Sequence, residues 1–185
     1  MNEVTLTNQK NIFVLEGEWS DDNQDKRSVN DLLNFLSNVL NVDYFHRRVA
    51  TKKEFSYHLK NSLDNHYEIV YLAFHGWKGF ISSEGFEIDI DDLYKYKRKF
   101  QGKIIHFGSC QTLKLSKDKL IEIKENLGAK YISGYTKNVD WVDSALLEIA
   151  YFNYWQYYKK RGVDLDKALE KDYKILYNRL GFIMV

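Results

Sequence analysis

A histidine and the chain's single cysteine each close a short apolar run: YLAFHG over residues 71–76 and KIIHFGSC over residues 103–110. Runs this short, without polar alternation, predict strands buried on both faces of a parallel sheet. In open α/β sheets the ligand crevice opens at the carboxyl ends of the strands. Two neighbouring parallel strands would therefore carry the His75 imidazole and the Cys110 thiol to one rim. That pairing is what a thiolate nucleophile with a histidine base requires. A free thiol has a pKa of about 8.5, so a base that takes its proton is needed at neutral pH.

Each residue also has a plainer reading. A lone cysteine is usually a small buried hydrophobe, and a His-Gly pair is often only a strand-to-turn junction. Their occurrence at consecutive strand ends is what points to chemistry. His106 competes with His75, but it lies four residues before Cys110 inside the same strand. It shares the face of Cys110 while sitting well down the strand, as a buried, hydrogen-bonded histidine would. His46, His58 and His66 read as solvated or helix-surface residues. Ser109 lacks the G-x-S-x-G elbow of a serine hydrolase.

The elements that must position this pair alternate strand with helix. Residues 11–15 form a first strand, followed by a polar loop with five carboxylates and Trp19. Ser28 is a candidate N-cap for a helix burying Leu32, Leu33, Leu36 and Leu40. Residues 42–49 suggest a second strand. Thr51 and Glu54 form a capping-box pattern before a helix that buries Phe55 and Leu59. The His75 strand covers residues 68–74. A small hairpin around residues 82–85 and a short helix capped by Asp89 or Asp91 lead into the Cys110 strand. Ser116 and Gly128 bracket a further helix, and residues 129–134 a further strand. Long helices over 141–158 and 165–176 follow, then an apolar tail, 181–185, suited to an edge strand. This order predicts a three-layer α/β/α sandwich with a mostly parallel central sheet, as one domain over residues 1–185.

Composition narrows the function class. The 185 residues are 44% hydrophobic, with 27 Lys plus Arg against 26 Asp plus Glu. Charge so balanced argues against nucleic acid as a partner, and the basic run from Lys95 to Lys99 reads as a solvated helix end. No apolar run has membrane-spanning length, and the N-terminus carries neither a basic nor an apolar segment. A soluble, cytoplasmic protein without a membrane partner is the expectation. One cysteine excludes an internal disulfide framework and argues against a cysteine-based zinc site.

Taken together, His75-Gly76, the hairpin, Gly108-Ser109-Cys110, the segment LGAKYISG over 127–134, Val139-Asp140 and the helix containing Ala150 resemble one known group. The resemblance covers residues 69–155. It is to the caspase-like (clan CD) cysteine peptidases, and within them to the CHAT-domain proteins, the branch that includes separase. One departure stands beside the cysteine: Gln111 and Thr112 follow it, where many CHAT proteins have a small residue and a glycine.

The resemblance implies a cysteine endopeptidase with His75 as base and Cys110 as nucleophile. It implies an oxyanion site of the Gly76 and Cys110 backbone N–H groups, with no cofactor, no metal and no third catalytic residue. Its partners would be a protein or peptide substrate and an activating partner. Asp140 stands where some members carry an acid that receives a basic P1 side chain, although it could equally cap the helix starting at Trp141. If the first strand neighbours the His75 strand, Glu16, Glu18, Asp21, Asp22 and Asp25 would overhang the cleft and favour a basic peptide. Cleavage after Asp would need arginines at the rim, and none is expected there. The alternative is a catalytically silent CHAT-like module that binds a peptide or protein. A flavodoxin-like small-ligand binder lacks its glycine-rich phosphate loop here.

Overall fold

Strand β1 (Asn11–Gly17) alternates its side chains between two cores, and the rest of the fold is assembled on it. The computed structural model describes residues 9–20, 26–157 and 162–185. β1 pairs in parallel with β2 (Tyr44–Val49) on one side and with β3 (Tyr67–Ala73) on the other. β7 (Ile104–Gly108) and β8 (Tyr131–Tyr135) continue the parallel sheet, and β9 (Phe182–Met184) closes the edge antiparallel to β8. The order is β2-β1-β3-β7-β8-β9.

Helices cover both faces. Ile12, Val14, Ile69 and Tyr71 point to one face, against Leu33 and Leu36 of α1 (Asn30–Leu40), Leu147 and Phe152 of α5 (Trp141–Tyr157), and Leu165 of α6 (Gly162–Asp172). Phe13, Leu15, Val70, Leu72 and Phe107 point to the other. There they meet Phe55 and Leu59 of α2 (Lys52–Asn61) and Leu120, Ile123 and Leu127 of α4 (Lys117–Leu127). The period-two alternation thus feeds two helix layers, giving the expected three-layer α/β/α sandwich.

The local signals for helix ends hold in several places. Thr51 and Glu54 form the full capping box. Ser116 caps α4 by accepting from Lys119 N, and Gly128 ends it in the left-handed conformation (φ 68°). Asp89 caps a 3₁₀ turn over Ile90–Tyr96 that runs into the short α3 (Lys97–Phe100).

Other expectations shift. β1 extends two residues past the expected end at 15, because Glu16 and Gly17 keep pairing with β2. The N-cap of α1 is Val29, and the Ser28 hydroxyl accepts from Asn30 N while donating to Glu16. The helix expected over 165–176 is two helices, α6 and α7 (Lys174–Leu180), broken at Tyr173 without Gly or Pro. The hairpin is a three-stranded meander of β4 (His75–Trp77), β5 (Phe80–Ser83) and β6 (Phe86–Asp89). Tyr158, expected in the long helix, lies outside the described residues.

The crossover from β1 to β2 carries α1 on one face, and the crossover from β2 to β3 carries α2 on the other. The sheet therefore has its topological switch point at the carboxyl ends of β1 and β3, where a crevice opens in such folds.

Candidate active site

Cys110 stands two residues past the end of β7, in a tight turn that three neighbours hold. The Ser109 hydroxyl meets the Thr112 hydroxyl at 2.7 Å, and the Thr112 hydroxyl donates to the Phe80 carbonyl of the meander at 2.9 Å. Gln111, the departure noted above, adopts a left-handed φ of 54°. That conformation favours glycine and persists only where the surroundings over-determine it. Here its N–H donates to the Lys137 carbonyl (2.9 Å) and its side-chain amide to Asn138 Oδ1 (2.6 Å). The turn therefore keeps a glycine-like geometry without a glycine. The Cys110 thiol is half-buried; it receives the Val139 N–H at 3.4 Å and lies 3.9 Å from the Val139 carbonyl.

His75 does not end β3, as expected, but begins β4, where the meander strand lies directly on the cysteine turn. A Cβ at Gly76 would collide with the Thr112 hydroxyl and lie 2.9 Å from both the Cys110 carbonyl oxygen and Ser109 Cβ. Only glycine permits this approach. The exposed His75 ring places Nε2 2.9 Å from the Trp19 carbonyl oxygen, with the Trp19 ring edge-on at 5.3 Å. A carbonyl can only accept, so Nε2 carries the hydrogen, and in the neutral ring Nδ1 keeps the lone pair. Among the described residues His75 and Cys110 do not hydrogen-bond each other; each is held by a backbone group of a neighbouring loop.

Both side chains line one cleft of about 710 Å³, together with Trp19, Gly108, Trp141 and Glu148. Within the lining, Trp19 and Trp141 meet edge to face at 4.8 Å. Under Gly108 lies a buried polar cluster. The Glu148 carboxylate accepts from the Tyr71 hydroxyl (2.6 Å) and the Tyr135 hydroxyl (3.1 Å), and His106 Nε2 is 3.3 Å away. His106 Nδ1 meets Ser133 Oγ at 3.0 Å, and Ser133 in turn meets the Tyr151 hydroxyl at 2.7 Å. Burial, then the Glu148 charge, push the Tyr71 and Tyr135 phenols well above their ordinary range, so both remain donors. His106 is the buried, bonded histidine expected. Gly108 lets the carboxylate and the Tyr71 ring pack directly against the strand end, since a Cβ there would come within 3.1 Å of Glu148 Oε1 and closer still to the Tyr71 ring.

Two expected substrate contacts are corrected. Glu16 is not in an overhanging loop: it lies in β1 and is 0% exposed, with its carboxylate occupied by Trp19, Ser28, Val29 and His46. It cannot meet a substrate cation. His46, expected in solvent, is one of its donors at 2.7 Å. Asp140 accepts from the N–H groups of Val142 and Asp143 (2.9 and 3.0 Å) and so takes the helix-capping alternative at the start of α5. It is not part of the cleft lining, which does include Arg27, Lys26 and Asp31. The expectation of a rim without arginine therefore fails. Glu18 lies 3.5 Å from Arg48 in an ion pair, and Asp21, Asp22 and Asp25 lie outside the described residues.

The residues missed from sequence are Trp19, through its carbonyl, and Glu148. A backbone carbonyl leaves no sequence signal. Glu148 did leave one: it falls in helical register with Ser144, Tyr151 and Trp155 on the buried face of α5, where a carboxylate is rare. Among the described residues no helix is long and apolar enough to cross a membrane, and no group of three His, Cys, Asp or Glu side chains is arranged to hold a metal.

The chain is structurally similar to caspase-1 from Spodoptera frugiperda, with a TM-score of 0.55 at 13% identity, over 88% of this chain and 75% of that one. At that identity the likeness shows the fold alone, which is caspase-like. A candidate cystathionine beta-lyase from Clostridium acetobutylicum aligns at a TM-score of 0.36 and 12% identity, over 78% of this chain and 38% of the other, and carries no argument. No curated protein matches. The model of a family of unknown function, DUF6642, matches residues 9–185, and the chain belongs to that family.

Proposed function

We propose that this protein is a cysteine endopeptidase, similar to the CHAT-domain branch of the caspase-like clan, in which His75 and Cys110 act on a peptide bound in the cleft. The observation that carries the reading is the shared cleft: the imidazole and the thiol line it together, and Gly76 packs against the cysteine turn. The Trp19 carbonyl adds support, because it leaves His75 Nδ1 as the nitrogen able to take a proton.

In the proposed reaction His75 Nδ1 takes the Cys110 proton, and the sulfur bonds to the scissile carbonyl carbon. The resulting oxyanion receives hydrogen bonds from the Gly76 and Cys110 backbone N–H groups. Collapse breaks the C–N bond while His75 returns the proton to the leaving amine. Water, deprotonated by His75, then hydrolyses the thioester and regenerates the thiol.

The expected preference for a basic P1 residue moves to Glu148, the buried acidic group of the lining. Three donors hold the carboxylate, from Tyr71, Tyr135 and His106, so it favours a basic side chain through its negative charge at the cleft lining rather than by direct contact. Lys26 and Arg27 also line the cleft but are exposed, where solvent and salt screen their charges more than that of buried Glu148.

A silent peptide-binding module in the same cleft is the second reading. It is favoured by the missing hydrogen bond between His75 and Cys110, although apo contacts of this kind often tighten only with substrate. Incubation with an arginine-based peptide electrophile separates the two. The peptidase reading expects covalent mass on Cys110, abolished by Cys110→Ala and slowed by His75→Ala. An unlabelled thiol leaves the binding module. A library cleavage profile with Asp at P1 would refute the basic preference.

A further inference from the structure

A second buried carboxylate, Glu16, is bonded to the cleft residue Trp19, and the reaction above does not use it. Glu16 lies near the end of β1, beside Ala73 of β3 in the sheet register. Its carboxylate accepts from Trp19 Nε1 (2.5 Å), the Ser28 hydroxyl (2.8 Å), the Val29 N–H (3.0 Å) and His46 Nε2 (2.7 Å). These donors arrive from the segment after β1, from the start of α1 and from β2. Burial pushes the carboxyl pKa up, and the bonds from His46, Trp19, Ser28 and Val29 together outweigh it and hold the group below its ordinary range.

Trp19 is the link to chemistry. Its indole N–H is fixed by Glu16, its ring lies edge-on to both His75 and Trp141, and its carbonyl accepts from His75 Nε2. A residue pinned at its side chain has its backbone pinned with it. We infer that Glu16 is a positioning residue for His75, acting through Trp19: it holds the Trp19 carbonyl where that group selects the Nε2–H form of the imidazole. The inference rests on His75 serving as the base. Outer groups that orient a histidine and fix its tautomer commonly matter about 10–100-fold where they have been removed from metal sites, and the same physics applies to a base.

The test is made on the full chain with 15N-labelled histidine. The His75 ring nitrogens are read by 1H–15N correlation, and Cys110 alkylation by iodoacetamide is timed at pH 7. The wild type is expected to show the Nε2–H form. Glu16→Gln cannot satisfy four donors with one oxygen, and Trp19→Phe deletes the indole N–H alone among the bonds of Glu16. Both are expected to mix the two tautomers and to slow alkylation about tenfold. His46→Ala removes another donor from the same carboxylate but leaves Trp19, so it is expected to lower stability and leave the His75 spectrum unchanged.

An unchanged His75 spectrum in Trp19→Phe overturns the inference, even if Glu16→Gln fails to fold. A His46→Ala spectrum as disturbed as that of Trp19→Phe also overturns it, since Glu16 would then be a general structural anchor. If Cys110 is inert in the wild type, the peptidase reading falls, while the ring spectra still decide the role of Glu16.

Discussion

Glu16 and Glu148 are both buried carboxylates, the second lining the cleft and the first bonded to the cleft residue Trp19, and they are satisfied by different parts of the molecule. Glu148 takes its donors from Tyr71, Tyr135 and His106 on three adjacent strands, all fully buried. Glu16 takes most of its donors from the chain that follows β1, and Trp19 among them reaches an exposed histidine. The first arrangement ties helix α5 to the sheet core. The second ties a loop to the rim. A buried charge can therefore brace the core or hold a rim residue in place, and the difference lies in where its donors come from rather than in how buried it is.

Several substitutions would sharpen or break that contrast. The largest effect is expected from Glu148→Ala, which strands two buried hydroxyls and one imidazole nitrogen. At about 1–3 kcal/mol for each orphaned donor, the loss should reach about 3–5 kcal/mol in denaturant unfolding. A loss below about 1 kcal/mol would mean that the cluster does not anchor the core.

Gly76→Ala comes next. The added methyl meets the Thr112 hydroxyl and the Cys110 carbonyl, and overpacking of this kind costs about 1–3 kcal/mol. Because the clash lies on the cysteine turn, Cys110 alkylation should change more than the melting temperature does. A pure stability effect would separate β4 from the site.

The Glu16 contribution should be smaller and pH-dependent. Its folded pKa is depressed, so the stabilisation is fully present above the unfolded carboxylate value of about 4.3 and is lost as pH falls through the folded value. The stability gap between wild type and Glu16→Gln should be widest near neutral pH and close below about pH 4. A gap independent of pH would remove the charge from the account.

The smallest effect belongs to Gln111→Gly. Relief of the left-handed backbone, offset by chain entropy and by loss of the bond to Asn138, should leave stability within about 1 kcal/mol. A rise in Cys110 reactivity, read by alkylation rate, would show that the glutamine restrains the turn.

Much of the fold was legible because it rests on local rules. The apolar runs around residues 69–74 and 104–107, the Thr51–Glu54 box and the Ser116 and Gly128 caps all follow from short-range physics, and all stand where expected. The juxtaposition of His75 and Cys110 was legible from topology, since both follow parallel strands that proved adjacent. The charges around them were not. Glu16 follows the last apolar residue of β1, where sequence alone predicts a loop, and two more residues of pairing turn its side chain inward. Asp140 offered two roles, and its distances to the first N–H groups of α5 fit the capping one. Arg27 lies far from both key residues in sequence, and only the packing of α1 brings it to the cleft. The Trp19 carbonyl is backbone and carries no residue signature.

The most direct test of the central claim is the rate of Cys110 alkylation by iodoacetamide from pH 5 to 10, in wild type and in His75→Ala. If His75 is the base for Cys110, the wild-type rate should exceed the variant's at least about tenfold near pH 7. The two curves should converge above about pH 9, where a free thiol ionises unaided. Superimposable curves across the whole range would contradict the account, because the two residues would then share a cleft without sharing a proton.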